Sequence, residues 1–124
     1  MTLTIRTPEQ LTAEGRDRLR ARLKARRDVA IAAGTTVGGL PVQTDDLSQQ
    51  RIVGAALAAS LDPEATVRWK LANGEFATLT AAQIIGIAKA VRAHVQACFD
   101  HEAALLADLV AGVEVDIDAG WPGV

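Results

Sequence analysis

Apolar positions recur along the chain with two distinct periods, and the longest run of helical period lies in its second half. Ile84, Ala88, Val91, Val95, Cys98, Leu105 and Leu109 are spaced three, four or seven residues apart, which lays them along one side of a helix. Thr80 followed by Gln83 is a capping-box pair that opens this helix, and Gly112 closes it, so the pattern predicts a helix over 80–111. Just before it the period changes to two. Val67, Trp69 and Leu71 alternate with Arg68 and Lys70, and Asn73-Gly74 suits a two-residue type I′ turn, which predicts a hairpin over 66–79. That turn puts Phe76 opposite Leu71, with Trp69, Leu71 and Phe76 on one face. The expected core is therefore Trp69, Leu71, Phe76, Ile84, Val91, Val95 and Leu105.

In the first half, Thr7, Pro8 and Gln10 form a helix-start pattern, predicting a helix over about 8–33 with Leu11, Leu19, Leu23 and Ala30 as a narrow apolar stripe. Gly15 weakens its first turns by about 1 kcal/mol relative to Ala. Gly34 suits the C-cap, and Gly38-Gly39 predicts a short hairpin over about 36–44, in which Pro41 is confined to an edge or a non-bonding position. Asp45 or Asp46 caps a further helix over about 46–61, which Asp62-Pro63 stops. Leu47, Ile52, Val53, Ala56 and Leu57 are its expected apolar face. Residues 113–124 read as an acidic tail. The predicted fold class is α+β: two long outer helices and one shorter helix packed with two short antiparallel β-hairpins, in a single domain over 1–124.

Composition narrows the chemistry. The chain has 124 residues, 49% of them hydrophobic but only 3% aromatic, so its core is built of Ala, Leu, Val and Ile. Net charge is −2, against a nucleic-acid binder acting through bulk electrostatics. The distribution is uneven, however: residues 16–28 hold seven Arg or Lys and two acids, whereas residues 100–124 hold six acids and no Arg or Lys. These two stretches can attract one another, within a chain or between chains. The single cysteine, Cys98, excludes an intrachain disulfide framework. There is no basic segment followed by an apolar one at the start and no run of eighteen apolar residues, which predicts a soluble, cytoplasmic protein without membrane contact.

Few residues are candidates for a site. Arg16, Arg20, Lys24 and Arg27 form a cationic face on the first helix, suited to an acidic protein surface and, as an alternative, to phosphates. No aromatic residues interleave with them for base stacking. Trp121, between Gly120 and Pro122, either caps its own chain or docks on a neighbour. His94, Cys98 and His101 are weak metal candidates. Zinc accepts imidazole and thiolate, but three ligands along one straight helix cannot surround an ion, so no metal and no cofactor is expected. No nucleophile is paired with a base, and Gly34, Gly38 and Gly39 lack the Lys-Ser or Lys-Thr of a phosphate loop, so the chain is not expected to be an enzyme.

The order of Arg26-Arg27-Asp28, Gly34, Thr44-Asp45 with Ser48-Gln49, Trp69-Lys70, Gly74-Glu75-Phe76, Leu79-Thr80, His94-Val95, Phe99, Glu102 and Gly120-Trp121-Pro122 resembles a family of unknown-function domains. These are carried by tailed-bacteriophage and prophage proteins, often as the C-terminal part of tail-fibre or tail-fibre-assembly polypeptides. The resemblance runs from about residue 20 onward and carries no catalytic residues. It implies a structural tail or tail-fibre component of the virion, present in the host cytoplasm during assembly, that attaches to other tail proteins as a homo-oligomer or heteromer. The alternatives are a tail-fibre assembly chaperone and a nucleic-acid-binding accessory factor acting through the basic first helix.

Overall fold

Thr12 opens the first helix of the structure, a computed structural model that describes residues 12–123. Its hydroxyl accepts the Gly15 N–H at 2.8 Å, satisfying one of the donors that a helix start leaves without a partner. The helix, α1, spans Ala13–Ala32. The start expected at Thr7, Pro8 and Gln10, and the apolar position Leu11, lie outside the described residues. Leu19, Leu23 and Ala30 are buried as its narrow stripe.

Two antiparallel hairpins flank the second helix. Strands β1 (Thr35–Val37) and β2 (Leu40–Val42) pair through the two-residue loop Gly38-Gly39, with Thr36 opposite Pro41. Helix α2 (Asp46–Leu61) is capped by Asp45, whose carboxylate accepts from the Ser48 hydroxyl at 2.6 Å and from the Ser48 N–H at 3.3 Å. Strands β3 (Thr66–Lys70) and β4 (Phe76–Thr80) form the second hairpin, and α3 (Ala81–Val110) follows directly. The described residues thus form three helices and two two-stranded antiparallel sheets, an α+β fold. The capping box is in place: Gln83 N–H donates to the Thr80 hydroxyl at 3.1 Å, and Thr80 N–H to Gln83 Oε1 at 2.8 Å.

The Ser48 hydrogen bonds, that of its hydroxyl first, hold the Asp45 carboxyl below its ordinary range. A depressed carboxyl contributes stability above its unfolded value, about pH 4, and loses it as pH falls through the folded value. Asp45→Asn should therefore flatten the acid limb of the thermal midpoint against pH, read by circular dichroism, by lowering the midpoint at pH 7 while leaving it little changed at the acid end.

Contacts divide the chain into two compact units, with α1 and α3 shared between them. In the unit formed by residues 31–96, Val42, Ile52, Ala59, Leu79, Ala81, Ile84, Ile87 and Val91 make the core, and Trp69 is half-buried against it. In the other, which joins the described part of 1–30 to 97–122, the buried apolar side chains are Leu19, Leu23, Ala30, Cys98, Leu109 and Ile117. Leu71, Ile84 and Val91 are buried as expected, whereas Val95 and Leu105 are half-buried.

Two expectations fail, each for a local reason. Phe76, expected in the core, is 65% exposed. The turn is a three-residue loop: Gly74 N–H donates to Leu71 O, and Leu71 N–H to Glu75 O. Gly74 takes φ +87°, and no non-glycine residue takes positive φ, which excludes the type I′ turn that needs it at Asn73 as well. The extra residue shifts the register by one, placing Phe76 opposite Lys70 and turning it outward. Ala77 and Leu79 point inward in its place.

The second failure concerns α2. Ser48, Ile52 and Ala59 are its buried residues, with Ala55 packed against the core. Of the expected apolar face, Ile52 is buried and Ala56 half-buried, while Leu47, Val53 and Leu57 are exposed. The cap turns Ser48 inward, and the small side chains at 55 and 59 let the helix approach a core already filled by Leu79, Ile84 and Ile87. The large side chains are left on the opposite side.

Candidate functional site

Within the unit of residues 31–96, the outward side of α2 is an apolar surface without a partner in the fold. Leu47, Val53, Leu57 and Leu61 are between 52% and 78% exposed. On a helix they lie on one side with Gly54, opposite the Ser48, Ile52 and Ala59 side. Scattered single hydrophobics on a surface are ordinary, but four on one helix face, where burial would be favourable, mark an interaction surface. Shallow clefts border it. One of about 120 Å³ is lined by Gln49, Ile52, Val53, Ala88, Val91, Arg92 and Val95. A more apolar one of about 180 Å³ lies over Ala55, Ala58, Ala59, Ala65 and Val67.

The other unit holds most of the residues singled out in the sequence, and it joins them to one another. Arg27 Nη1 donates to Glu102 Oε1 at 2.8 Å, its Nη2 to Asp28 at 2.8 Å, and its guanidinium lies 4.8 Å from the Phe99 ring centre. The Glu102 hydrogen bond holds the guanidinium above its already high ordinary value, so it stays charged at every accessible pH. Arg26 lies 3.8 Å from Asp118 and 5.4 Å from the Trp121 ring centre. The attraction expected between the basic and acidic stretches is present in these two pairs.

Trp121 is half-buried in its own unit: its indole N–H donates to Ile117 O at 2.7 Å, and its ring meets His101 edge-on with centroids 4.4 Å apart. His101 Nε2 is 2.7 Å from Ala119 O. Gly120, at φ +84°, passes so close that a Cβ there would lie 2.8 Å from His101 Cε1. The segment after α3 is thereby held to the helix by one aromatic pair and one imidazole contact, both through His101, while the indole hydrogen bond closes the segment on itself.

Of the four cations expected to face a partner, Arg27 is only 14% exposed and is committed to Glu102. Arg20 pairs with Asp17 at 2.9 Å on the surface, Lys24 is exposed and Arg16 half-buried. Among the described residues, no group of three or more His, Cys, Asp and Glu is placed to hold a metal ion. His94 and Cys98 are buried, and burial pushes the Cys98 thiol up despite the nearby positive Arg26. No helix of the described residues is long and apolar enough to cross a membrane.

Arg27→Met should cost about 1–3 kcal/mol, because it strands a largely buried carboxylate. Pairing it with Glu102→Leu should return a good part of the loss, and urea midpoints of the three variants check this.

The sequence signals the surface on α2 only indirectly, since Leu47, Val53 and Leu57 belong to one expected apolar face with the buried Ile52, and Leu61 lies outside it. A family model, Domain of unknown function (DUF4376), matches residues 14–120. No curated protein and no solved structure matches the chain.

Proposed function

The chain belongs to the DUF4376 family, and within it we propose a non-enzymatic, bacteriophage tail-associated structural role: a tail or tail-fibre component that attaches to other tail proteins. The observation that carries attachment is the outward face of α2, where Leu47, Val53, Leu57 and Leu61 stand in water. Covering such side chains is favoured by about 25 cal/mol per Å² of apolar area removed from water. The tail context rests on the motif order from Arg26 to Pro122, which resembles domains of phage tail-fibre polypeptides.

Two further features support attachment over catalysis. The candidate polar side chains are engaged in holding the fold: Ser48 with Asp45, Arg27 with Glu102, His101 with the segment after α3. Of the four α1 cations expected to face a partner, Arg20 and Lys24 remain outward and supply a second, polar surface that suits an acidic neighbour in the assembly.

Co-expression with a phage tail-fibre polypeptide tests the role. A structural component co-purifies with that polypeptide and persists in finished particles, with assembly in the host cytoplasm and residence in the virion. Binding to the polypeptide combined with absence from finished particles assigns the chain to the assembly chaperones. Absence of binding to any tail protein refutes both.

A further inference from the structure

This inference rests on the attachment surface proposed above and names what covers it when no tail protein is bound. We infer that the outward face of α2 pairs with the same face of a second copy of this chain, antiparallel about a two-fold axis at Gly54.

Spacing is the first argument. Leu47, Gln50, Gly54, Leu57 and Leu61 are all exposed and follow one another at intervals of three, four, three and four residues. That alternation is the seam of a two-helix packing, in which positions a and d face the partner. It is a second seam on α2, separate from the Ser48, Ile52 and Ala59 side that meets the core.

Symmetry is the second. An antiparallel contact about a two-fold axis is isologous, so every pairing occurs twice. Leu47 and Leu61 stand seven residues to either side of Gly54, about 10.5 Å along the axis. Pairing two copies at Gly54 therefore sets Leu47 of one against Leu61 of the other at both ends. Gln50 and Ala58 match in the same way, Leu57 lies across from the aliphatic stem of Arg51, whose charged head reaches water, and Gly54 meets Gly54 at the centre. A Cβ on Gly54 would have nothing within 4 Å, so the space above it is open to a second backbone. Two glycines at the crossing permit an approach at the short end of the usual helix separation.

Charge is the third. Between Leu47 and Leu61 the sole charged residue is Arg51. A highly charged partner would lose hydration on this surface with no opposite charge to replace it. The same nearly neutral apolar face on a second copy meets it without that loss.

Area sets the strength. Leu47, Leu57 and Leu61 in the seam and Val53 at its flank, each removing about 100 Å² from water, with the Gly, Ala and Gln between them, cover about 500 Å² per copy. The pair buries about 1,000 Å² in total, the lower limit of a specific interface, so the dimer is a reversible one that forms with rising concentration.

Sedimentation equilibrium on the full chain tests the pairing. The mass should rise with concentration from the 13.0 kDa of one chain toward twice that value. Leu57→Glu/Leu61→Glu should hold it at one chain throughout, with an unchanged circular dichroism spectrum because both side chains are exposed. Gly54→Cys should form a disulfide-linked dimer under mild oxidation, whereas the parent chain, whose single thiol is the buried Cys98, should not. A chain monomeric at every concentration overturns the pairing and leaves attachment to a tail protein standing. A dimer indifferent to Leu57→Glu/Leu61→Glu, or one that Gly54→Cys does not cross-link, overturns it as well. A dimer that behaves as stated but captures no tail protein upholds the pairing and refutes the attachment role alone.

Discussion

Truncating Leu79 to alanine should destabilise the protein by about 2–5 kcal/mol, whereas truncating Phe76, a larger side chain on the same strand, should cost under about 1 kcal/mol. Leu79 is 2% exposed and belongs to the core with Ile52, Ala59 and Ile84, so its removal leaves a cavity among groups that cannot all close in. Phe76 faces water beside Lys70 and loses little that water does not replace. The two variants together test the register of the β3–β4 hairpin. With the two-residue turn their order would reverse, since Phe76 would lie inside and Leu79 outside. Thermal or urea midpoints decide between these, and equal losses would contradict the three-residue loop.

Thr44→Val should cost about 2–4 kcal/mol although it changes side-chain volume very little. Thr44 is fully buried, its hydroxyl donates to Ile31 O, and it accepts the Gly34 N–H at 2.8 Å. Those two backbone groups lie at the end of α1, where no further helical turn supplies partners. Valine would leave both in the interior without that partner. Thr44→Ser keeps the hydroxyl and loses one methyl, and should cost about 1 kcal/mol. A loss of that order is a large share of the stability of a domain this size, so Thr44→Val should also raise hydrogen exchange across β1 and β2. If valine and serine cost the same, the hydroxyl is not what satisfies Ile31 O and the Gly34 N–H.

Much of the fold was legible because it rests on local chemistry. Thr80 with Gln83, a cap at Asp45, one of the two residues the pattern offered, and Gly38-Gly39 each act within a few residues, and each stands where the pattern allows it. The Asn73-Gly74 pair was ambiguous for a physical reason. It fits a two-residue loop, and it equally fits a three-residue loop that needs positive φ at Gly74 alone, and the choice flips every side chain of β4.

Helix α2 misled for another reason. It is apolar on two sides, and a hydrophobic pattern does not say which side the core takes; here close approach selected the small residues. Long-range contacts were visible only as tendencies. The charge asymmetry foreshadowed that residues 16–28 and 100–124 would meet, yet the choice of Glu102 for Arg27, 75 residues away, depends on the fold. The same holds for Trp121 against His101. The surface on α2 was present in the sequence as Leu47, Val53, Leu57 and Leu61, but only their exposure distinguishes a binding face from a core.

The attachment role and the location of its surface make one joint claim, and two double variants separate it from its rivals. Leu57→Glu/Leu61→Glu places charges on the apolar face of α2, and Arg20→Glu/Lys24→Glu reverses the outward cations of α1; all four positions are exposed, so both should fold. The decisive measurement is how much of each variant, co-expressed with the tail-fibre polypeptide, is retained with it on purification. The account predicts that the α2 variant is lost at every salt concentration, while the α1 variant is retained less than the parent chain at low salt and recovers toward it as ionic strength screens the like charges. Retention of the α2 variant at the level of the parent chain would contradict it.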